Sequence, residues 1–301
     1  MISARAIAAF AFIASVAAGT LIDPAGRVAP AGATVLTADF HVHAFPADGI
    51  LPVWNIQREA ERRGLDVVAI TNHNRNFAMP LARASGLLKA YPIIIPSEEL
   101  TTPHFHLAAI GLTEMVDWRL SASDAIDAIH AQGGVAIAAH PAPMSWASDD
   151  PGALAKLDGA EVAHPTILGI RKRENQLRAF YENVRRLKPN LAPIGSTDFH
   201  GGGVPLGACR TYVVVDEVST KGVLEAVRRG RTVAAGPGER LVGDPELIRA
   251  VKHRLALAPP TNFGRSYPTW LSLVALLSLG VLVFLDRTSS RSRSSTRPGG
   301  L

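Results

Sequence analysis

From residue 35 to residue 236, short β-rich runs alternate with helical stretches, and nearly every run has a histidine or a carboxylate at one end. This double pattern constrains the fold more than any other feature of the chain. Alternating strands and helices build βα units around a parallel sheet, and so many units predict a barrel rather than an open sheet. The expected strands are 35–41, 66–71, 92–96, 106–112, 135–140, 160–163, 192–196 and 211–215. Helices are expected over 54–63, 79–90, 121–131, 168–187 and 220–229, with Ser121 and Ser219 as N-caps and Gly64, Gly133 and Gly230 as stops.

The first strand closes on Asp39-Phe40-His41-Val42-His43. Alternate residues of an extended segment point to one side, so the two imidazoles can share one cation. The second strand ends in Thr71-Asn72-His73-Asn74, the third in Ser97-Glu98-Glu99-Leu100, the fifth in Ala139-His140-Pro141 and the seventh in Ser196-Thr197-Asp198-Phe199-His200, while the fourth opens near His104-Phe105-His106. Active sites of (β/α) barrels gather at the C-terminal ends of the strands, so these six elements deliver donors to one rim. Histidine and carboxylate ligands suit Zn, Mn or Fe, and several cations close together would give so many buried donors partners. Cys209 is the single cysteine, which excludes a disulfide framework and cysteine-rich zinc ribbons. The residues alone leave open Glu98 or Glu99, and His104 or His106, as the donor. Glu161, ending the sixth strand, is expected to face the site as orienter or proton acceptor. His164 would line the pocket, Arg171 of the run Arg171-Lys172-Arg173 could clamp a phosphate, and Gly201-Gly202-Gly203 permits close backbone approach.

Taken together, DFHVH, Asp48-Gly49, TNHN, PSEELTT, His106-Leu107, AAHP and STDFH resemble, in order, the motifs of the polymerase and histidinol phosphatase (PHP) superfamily of metal-dependent phosphoesterases. The resemblance covers about residues 35–236. It implies the PHP fold, a distorted (β/α)7 TIM-like barrel, and two to three divalent metal ions. Carried over by residue, His41, His43, Glu99 and Asp198 would hold the first ion, Glu99, His106 and His140 the second, and Asp48, His73 and His200 the third. Glu99 is preferred to Glu98 because the family's ligand directly precedes an aliphatic residue and a Thr. Asp198, His200 and Glu161 would act in the reaction. The segment Ala44-Phe45-Pro46-Ala47 departs from the Thr and Ser common before that aspartate, which weakens the third site. The implied reaction is hydrolysis of a small phosphate ester, as in nucleoside 3′,5′-bisphosphate phosphatases. Exported members similar to carbaryl hydrolases, which cleave carbamate or carboxylic esters, are the second reading, and a membrane-tethered metal-binding module without catalysis is the third.

The two ends carry their own expectations. Arg5 followed by an uncharged run over 6–18 reads as a signal segment over 1–22. No charge occurs between Arg265 and Asp286, so 266–285 reads as a transmembrane helix in a lipid bilayer, after a stalk over 237–265 containing one short helix at 245–255. The Arg- and Ser-rich tail 286–301 would be cytoplasmic and the catalytic domain extracytoplasmic. The formal net charge is +5, and setting aside Arg287, Arg291, Arg293 and Arg297 leaves +1 for the rest. Extended nucleic acid is therefore not expected as a partner.

Overall fold

In the computed structural model, which describes residues 3–21, 29–32, 34–75, 77–142, 146, 150–165, 171–201, 204–236, 240–257 and 267–294, ten strands form: β1 (Thr34–Val42), β2 (Val67–Ile70), β3 (Ile93–Thr101), β4 (His106–Ile110), β5 (Val135–Ala138), β6 (Gly159–Ala163), β7 (Ala192–Gly195), β8 (Arg210–Val215), β9 (Thr232–Ala235) and β10 (Leu241–Gly243). They join in one sheet of order β10-β9-β8-β1-β2-β3-β4-β5-β6-β7. Strands β1, β2 and β3 pair in parallel, as do β5, β6 and β7, but β4 is antiparallel to both neighbours and β8, β9 and β10 continue antiparallel from β1. The sheet is thus mixed where a uniform βα repeat was expected. Only residues 102–105 separate β3 from β4, too few for a parallel crossover.

The sheet curls into a nearly closed barrel. Thr211 Oγ1 on β8 donates to Gly195 O at 2.9 Å and accepts from Gly195 N at 3.0 Å, and Thr232 Oγ1 on β9 donates to Pro193 O at 3.0 Å. A Cβ on Gly195 would stand 2.5 Å from the Arg210 carbonyl oxygen, so this approach of β7 to β8 requires glycine. Register shifts interrupt β1 between Asp39 and Val42 and β6 between Glu161 and Ala163. Such irregularities re-aim side chains, and both lie where the strand passes from apolar core to polar rim.

Nine helices lie among the described residues: α1 (Ala4–Leu21), α2 (Val53–Arg62), α3 (Ala78–Ala84), α4 (Ala122–Ala131), α5 (Pro151–Lys156), α6 (Arg171–Leu187), α7 (Thr220–Arg228), α8 (Pro245–Leu257) and α9 (Tyr267–Ser294). Ser121 accepts from Asp124 N at 3.1 Å and Ser219 from Gly222 N at 3.0 Å, as N-caps do. Helix α3 ends six residues short of expectation, before Gly86 at φ 68°. Leu36, Ala38, Val67, Ile95, Ile110, Ile137 and Ile194 form one buried cluster with the apolar face of α7, while α2 and α3 cover Val68 and Ile70, and α4 packs against Leu107 and Ala109. Leu241, Leu247, Ile248 and Val251 pack with Tyr212, Val233 and Ala235, so β10 and α8 add a layer to the body where a stalk was expected.

Residues 24–264 form one compact unit, and residues 1–23 with 265–301 form another. Within the latter, Arg5 Nη2 of α1 donates to Leu285 O of α9 at 2.9 Å, and Phe10, Ile13, Leu277 and Phe284 are exposed. The expected transmembrane helix is not supported: among the described residues, no helix is long and apolar enough to cross a membrane. Helix α9 forms over Tyr267–Ser294. Anchoring in a lipid bilayer and the extracytoplasmic placement of the body fall with the membrane span, and the signal segment read over 1–22 is likewise unsupported. The tail beyond Ser294 lies outside the described residues.

His130 of α4 is half-buried with Nε2 2.7 Å from Asp158 Oδ2, which also accepts from Ala136 N at 2.9 Å, while Lys188 Nζ donates to Oδ1 at 3.1 Å. Burial opposes ionisation of Asp158, but these partners outweigh it and hold the carboxyl below its usual range. A depressed folded pKa stabilises above the unfolded value of about 4 and stops doing so as pH falls through the folded one. Asp158→Asn is therefore expected to cost about 1–3 kcal/mol at pH 7 in urea unfolding, with the gap to wild type narrowing toward pH 3. A gap independent of pH would assign the residue to packing alone.

Candidate metal centre

Strands β1 and β3 and the segment after β7 deliver four atoms to one point. His41 Nε2 lies 3.3 Å from both Glu99 Oε2 and Asp198 Oδ1, and His43 Nε2 lies 3.4 Å and 3.1 Å from the same two oxygens. All four atoms are buried and none has a hydrogen-bond partner. Four donors at about 2.0–2.1 Å around a tetrahedral ion stand about 3.3 Å from one another. The donor set therefore fits a divalent cation: its nitrogens and oxygens face each other at ligand spacing without bonding to one another, a costly arrangement for buried polar atoms with nothing between them.

Two further sets adjoin the first. His106 Nδ1 and His140 Nε2 stand 2.8 Å and 3.2 Å from Glu99 Oε1, so Glu99 belongs to both sets. Asp48 gathers the third: its Oδ2 lies 3.2 Å from His73 Nε2 and 3.1 Å from His200 Nε2, and its Oδ1 lies 3.3 Å from His43 Nδ1. The structure thus brings together His41, His43, Asp48, His73, Glu99, His106, His140, Asp198 and His200, in groups whose donor atoms lie within 4.8 Å of one another. Exposure rises across the sets, from 0% at His41, His43 and Glu99 to 36–39% at Asp48, His73 and His200, which marks the side open to solvent.

Strand alternation decides the alternatives that the residues left open. Glu99 points into the barrel, whereas Glu98 points away, accepts from Val116 N at 2.7 Å and has its carboxyl pushed up to about 7 by burial. His106 begins β4 on the inner face, and His104, in the preceding turn, belongs to none of the donor groups. Arg171 opens α6, but the side chains of the basic run Arg171 to Arg173 lie outside the described residues, as do Gly202 and Gly203.

A second ring of contacts aims the first. Glu161 Oε1 lies 2.9 Å from His41 Nδ1 and accepts from Ser196 Oγ, and its Oε2 accepts from His140 N at 2.6 Å. With both oxygens engaged, Glu161 orients and does not reach solvent. Asp39, fully buried, accepts from Thr197 N at 3.1 Å and Gly207 N at 3.0 Å and bonds to the Thr197 hydroxyl, which holds the turn that places Asp198 at φ 51°. Burial raises its carboxyl to about 6 despite those bonds. Thr101 Oγ1 contacts His73 Nδ1, and Asn74, itself left-handed at φ 46°, bonds both ways to the Thr101 backbone. His164 is buried with Nε2 3.7 Å from Asp198 Oδ2 and 3.9 Å from Glu161 Oε2, and it forms a further donor group with His41 and His140. The sequence reading passed over Asp39, Thr101 and Ser196. Their only signal was adjacency to donors, since a polar residue beside a ligand on a buried strand needs a partner of its own.

The charges are mutually dependent. Burial resists ionisation of Glu99, Asp48 and Asp198, yet the surrounding imidazoles hold all three carboxyls well below their usual range. Burial likewise resists protonation of His41, His73 and His140, yet the carboxylates hold all three above the ordinary histidine value.

No family model matches the chain. An uncharacterized protein of Methanocaldococcus jannaschii, MJ1587, is 32% identical over 140 residues, 42% of this chain and 81% of the archaeal protein. The chain belongs to the family of that protein. A solved structure from Bacteroides vulgatus, a two-domain protein containing a predicted PHP-like metal-dependent phosphoesterase, matches with a TM-score of 0.54 and 25% identity over 76% of this chain and 74% of that one. That likeness supports the PHP superfamily for this member of the MJ1587 family. Neither comparison points to an exported, carbaryl-hydrolase-like subgroup.

Because the carboxylates raise the proton affinity of His41, His73 and His140, cations and protons compete for these nitrogens. Titration of the metal-stripped protein with Zn or Mn in buffers of different ionisation enthalpy is expected to show proton release, with affinity falling as pH is lowered from about 8 to 6. Glu161→Gln is expected to weaken that binding about 10- to 100-fold. Unchanged affinity would remove its orienting role.

Proposed function

We propose that this protein is a metal-dependent hydrolase of small phosphate esters. The observation that carries the reading is the buried quartet of His41, His43, Glu99 and Asp198, whose facing atoms have a cation's spacing and no hydrogen bonds. Asp198, His41 and His43 would hold one ion with Glu99, His106 and His140 a second through the same Glu99, and Asp48, His73 and His200 a third. Divalent ions there would supply positive charge to the phosphoryl oxygens and lower the pKa of bound water to near neutrality.

The protein's own groups do the rest. Glu161 fixes His41 with Nε2 inward, and Asp39 fixes the Thr197–Asp198 turn. His200 Nδ1 lies 3.0 Å from the Asp198 carbonyl oxygen, which directs Nε2 toward Asp48 and solvent. His200 would therefore offer Nε2, with no proton on it, to the third ion on the open side. The modest charge of the chain outside its C-terminal tail suits a small ester over a long polyanion.

Asp198→Ala is expected to abolish turnover of aryl phosphates and lower the metal content per chain while leaving the unfolding transition largely in place, since Asp198 sits on the rim. Elemental analysis and a phosphate-release assay, with an aryl carbamate in parallel, check this. Full metal content and activity in the variant would refute the assignment, and turnover of the carbamate alone would move the reaction to carbamate esters.

A further inference from the structure

On the opposite side of the β6 wall from the metal centre lies a cavity of about 360 Å³, lined by Val162 and Ala163 of β6, by Arg178, Tyr181, Glu182 and Arg185 of α6, by Arg240 and β10, and by Ile248 of α8. Strand alternation separates the two sites. Glu161 points inward to His41, and Val162, the next residue, points outward, where it packs in the cluster that holds Phe180, Tyr181 and Val184. The cavity therefore sits outside the barrel, beside the seam where β7 and β9 meet.

Its chemistry is lopsided. Arg178 and Arg185 are seven residues apart, two turns along one face of α6, and Arg240 reaches the cavity from the opposite wall. Both α6 arginines are exposed, and neither has an ion pair among the described residues. Three guanidinium groups thus share the cavity with one carboxylate, Glu182. The remaining wall is apolar, from Val162, Leu241, Val242 and Ile248. Guanidinium groups bind phosphate in paired, planar hydrogen bonds, and the volume is at the lower end of small-molecule sites.

We propose that this cavity is a second ligand site, for a phosphate-bearing small molecule whose compact body lies on the apolar wall. It does not depend on the metal centre or on hydrolysis. Calorimetric titration of the full-length, metal-stripped protein with glycerol 3-phosphate, and with inorganic phosphate in parallel, tests it while the metal centre is empty of ions and no turnover occurs. Wild type is expected to bind glycerol 3-phosphate with a dissociation constant of about 1 mM or tighter, weakening as salt is raised. The double variant Arg178→Gln with Arg185→Gln, at exposed positions that the packed core does not use, is expected to bind at least about 10-fold more weakly. Arg119→Gln, at an exposed arginine paired with Asp117 away from this cavity, is expected to leave binding unchanged. No binding by wild type at 10-fold higher ligand, or equal binding by the double variant, would overturn the proposal without bearing on the hydrolase reading. A failed Asp198→Ala prediction would likewise leave this site standing.

Discussion

Glu99 has no solvent exposure, yet nitrogens of five histidines, His41, His43, His73, His106 and His140, lie within 3.4 Å of its two oxygens. A bare carboxylate in such surroundings would cost many kcal/mol, and so would a bare cluster of imidazolium groups. The two are tolerable only together, or with cations in place of the shared protons. The low carboxyl pKa values and the high histidine ones express that single dependence from both sides. The rim ends of β1 to β5 are all constrained to meet at this one side chain.

The scaffold meets the constraint by reversing one strand. In the β3 to β4 ladder, Thr101 faces His106 and Glu99 faces Ala108. Because β4 runs backward, its first residue lies at the rim and His106 can share Glu99 with His140 from β5's end. A parallel β4 would have carried His106 to the far end of the barrel. The buried carboxylates Asp39 and Glu161 stabilise the backward and left-handed geometry by accepting backbone N–H groups that the strand ladders leave unpaired, at Thr197, Gly207 and His140. Asp198 and His140 both adopt positive φ there, a conformation that non-glycine residues hold only where surroundings over-determine it.

Much of this was legible from the residues. The strand and helix positions followed from hydrophobic period and from capping, because Ser121 and Ser219 satisfy their helix N-termini by side-chain chemistry that does not depend on the fold. The reversal of β4 was not expected, although the chain carries its signal. A donor at the start of a strand reaches the same rim as donors at strand ends only if that strand runs the other way, and the short 102–105 link leaves no crossover. The segment after residue 237 was misjudged because Pro and Gly signal a break in regular structure but not whether the next segment packs, and Leu247, Ile248 and Val251 find partners in β9 and in Tyr212 of β8. The membrane reading rested on hydropathy and charge counted along the chain, and among the described residues no helix is long and apolar enough to carry it.

By itself, the sequence determined which residue types stand at which strand ends, and so the chemistry open to the site: histidine and carboxylate donors, with Cys209 as the single cysteine. Only the tertiary structure decided which donors share an oxygen, that Glu99 and not Glu98 faces inward, and that Glu161 holds His41 and the His140 backbone. Those are questions of distance across the barrel. Side-chain direction along one strand follows from local alternation, but the meeting of His41 and Asp198, 157 positions apart in the chain, depends on how the sheet curls, and that is set by the packing of all its strands at once.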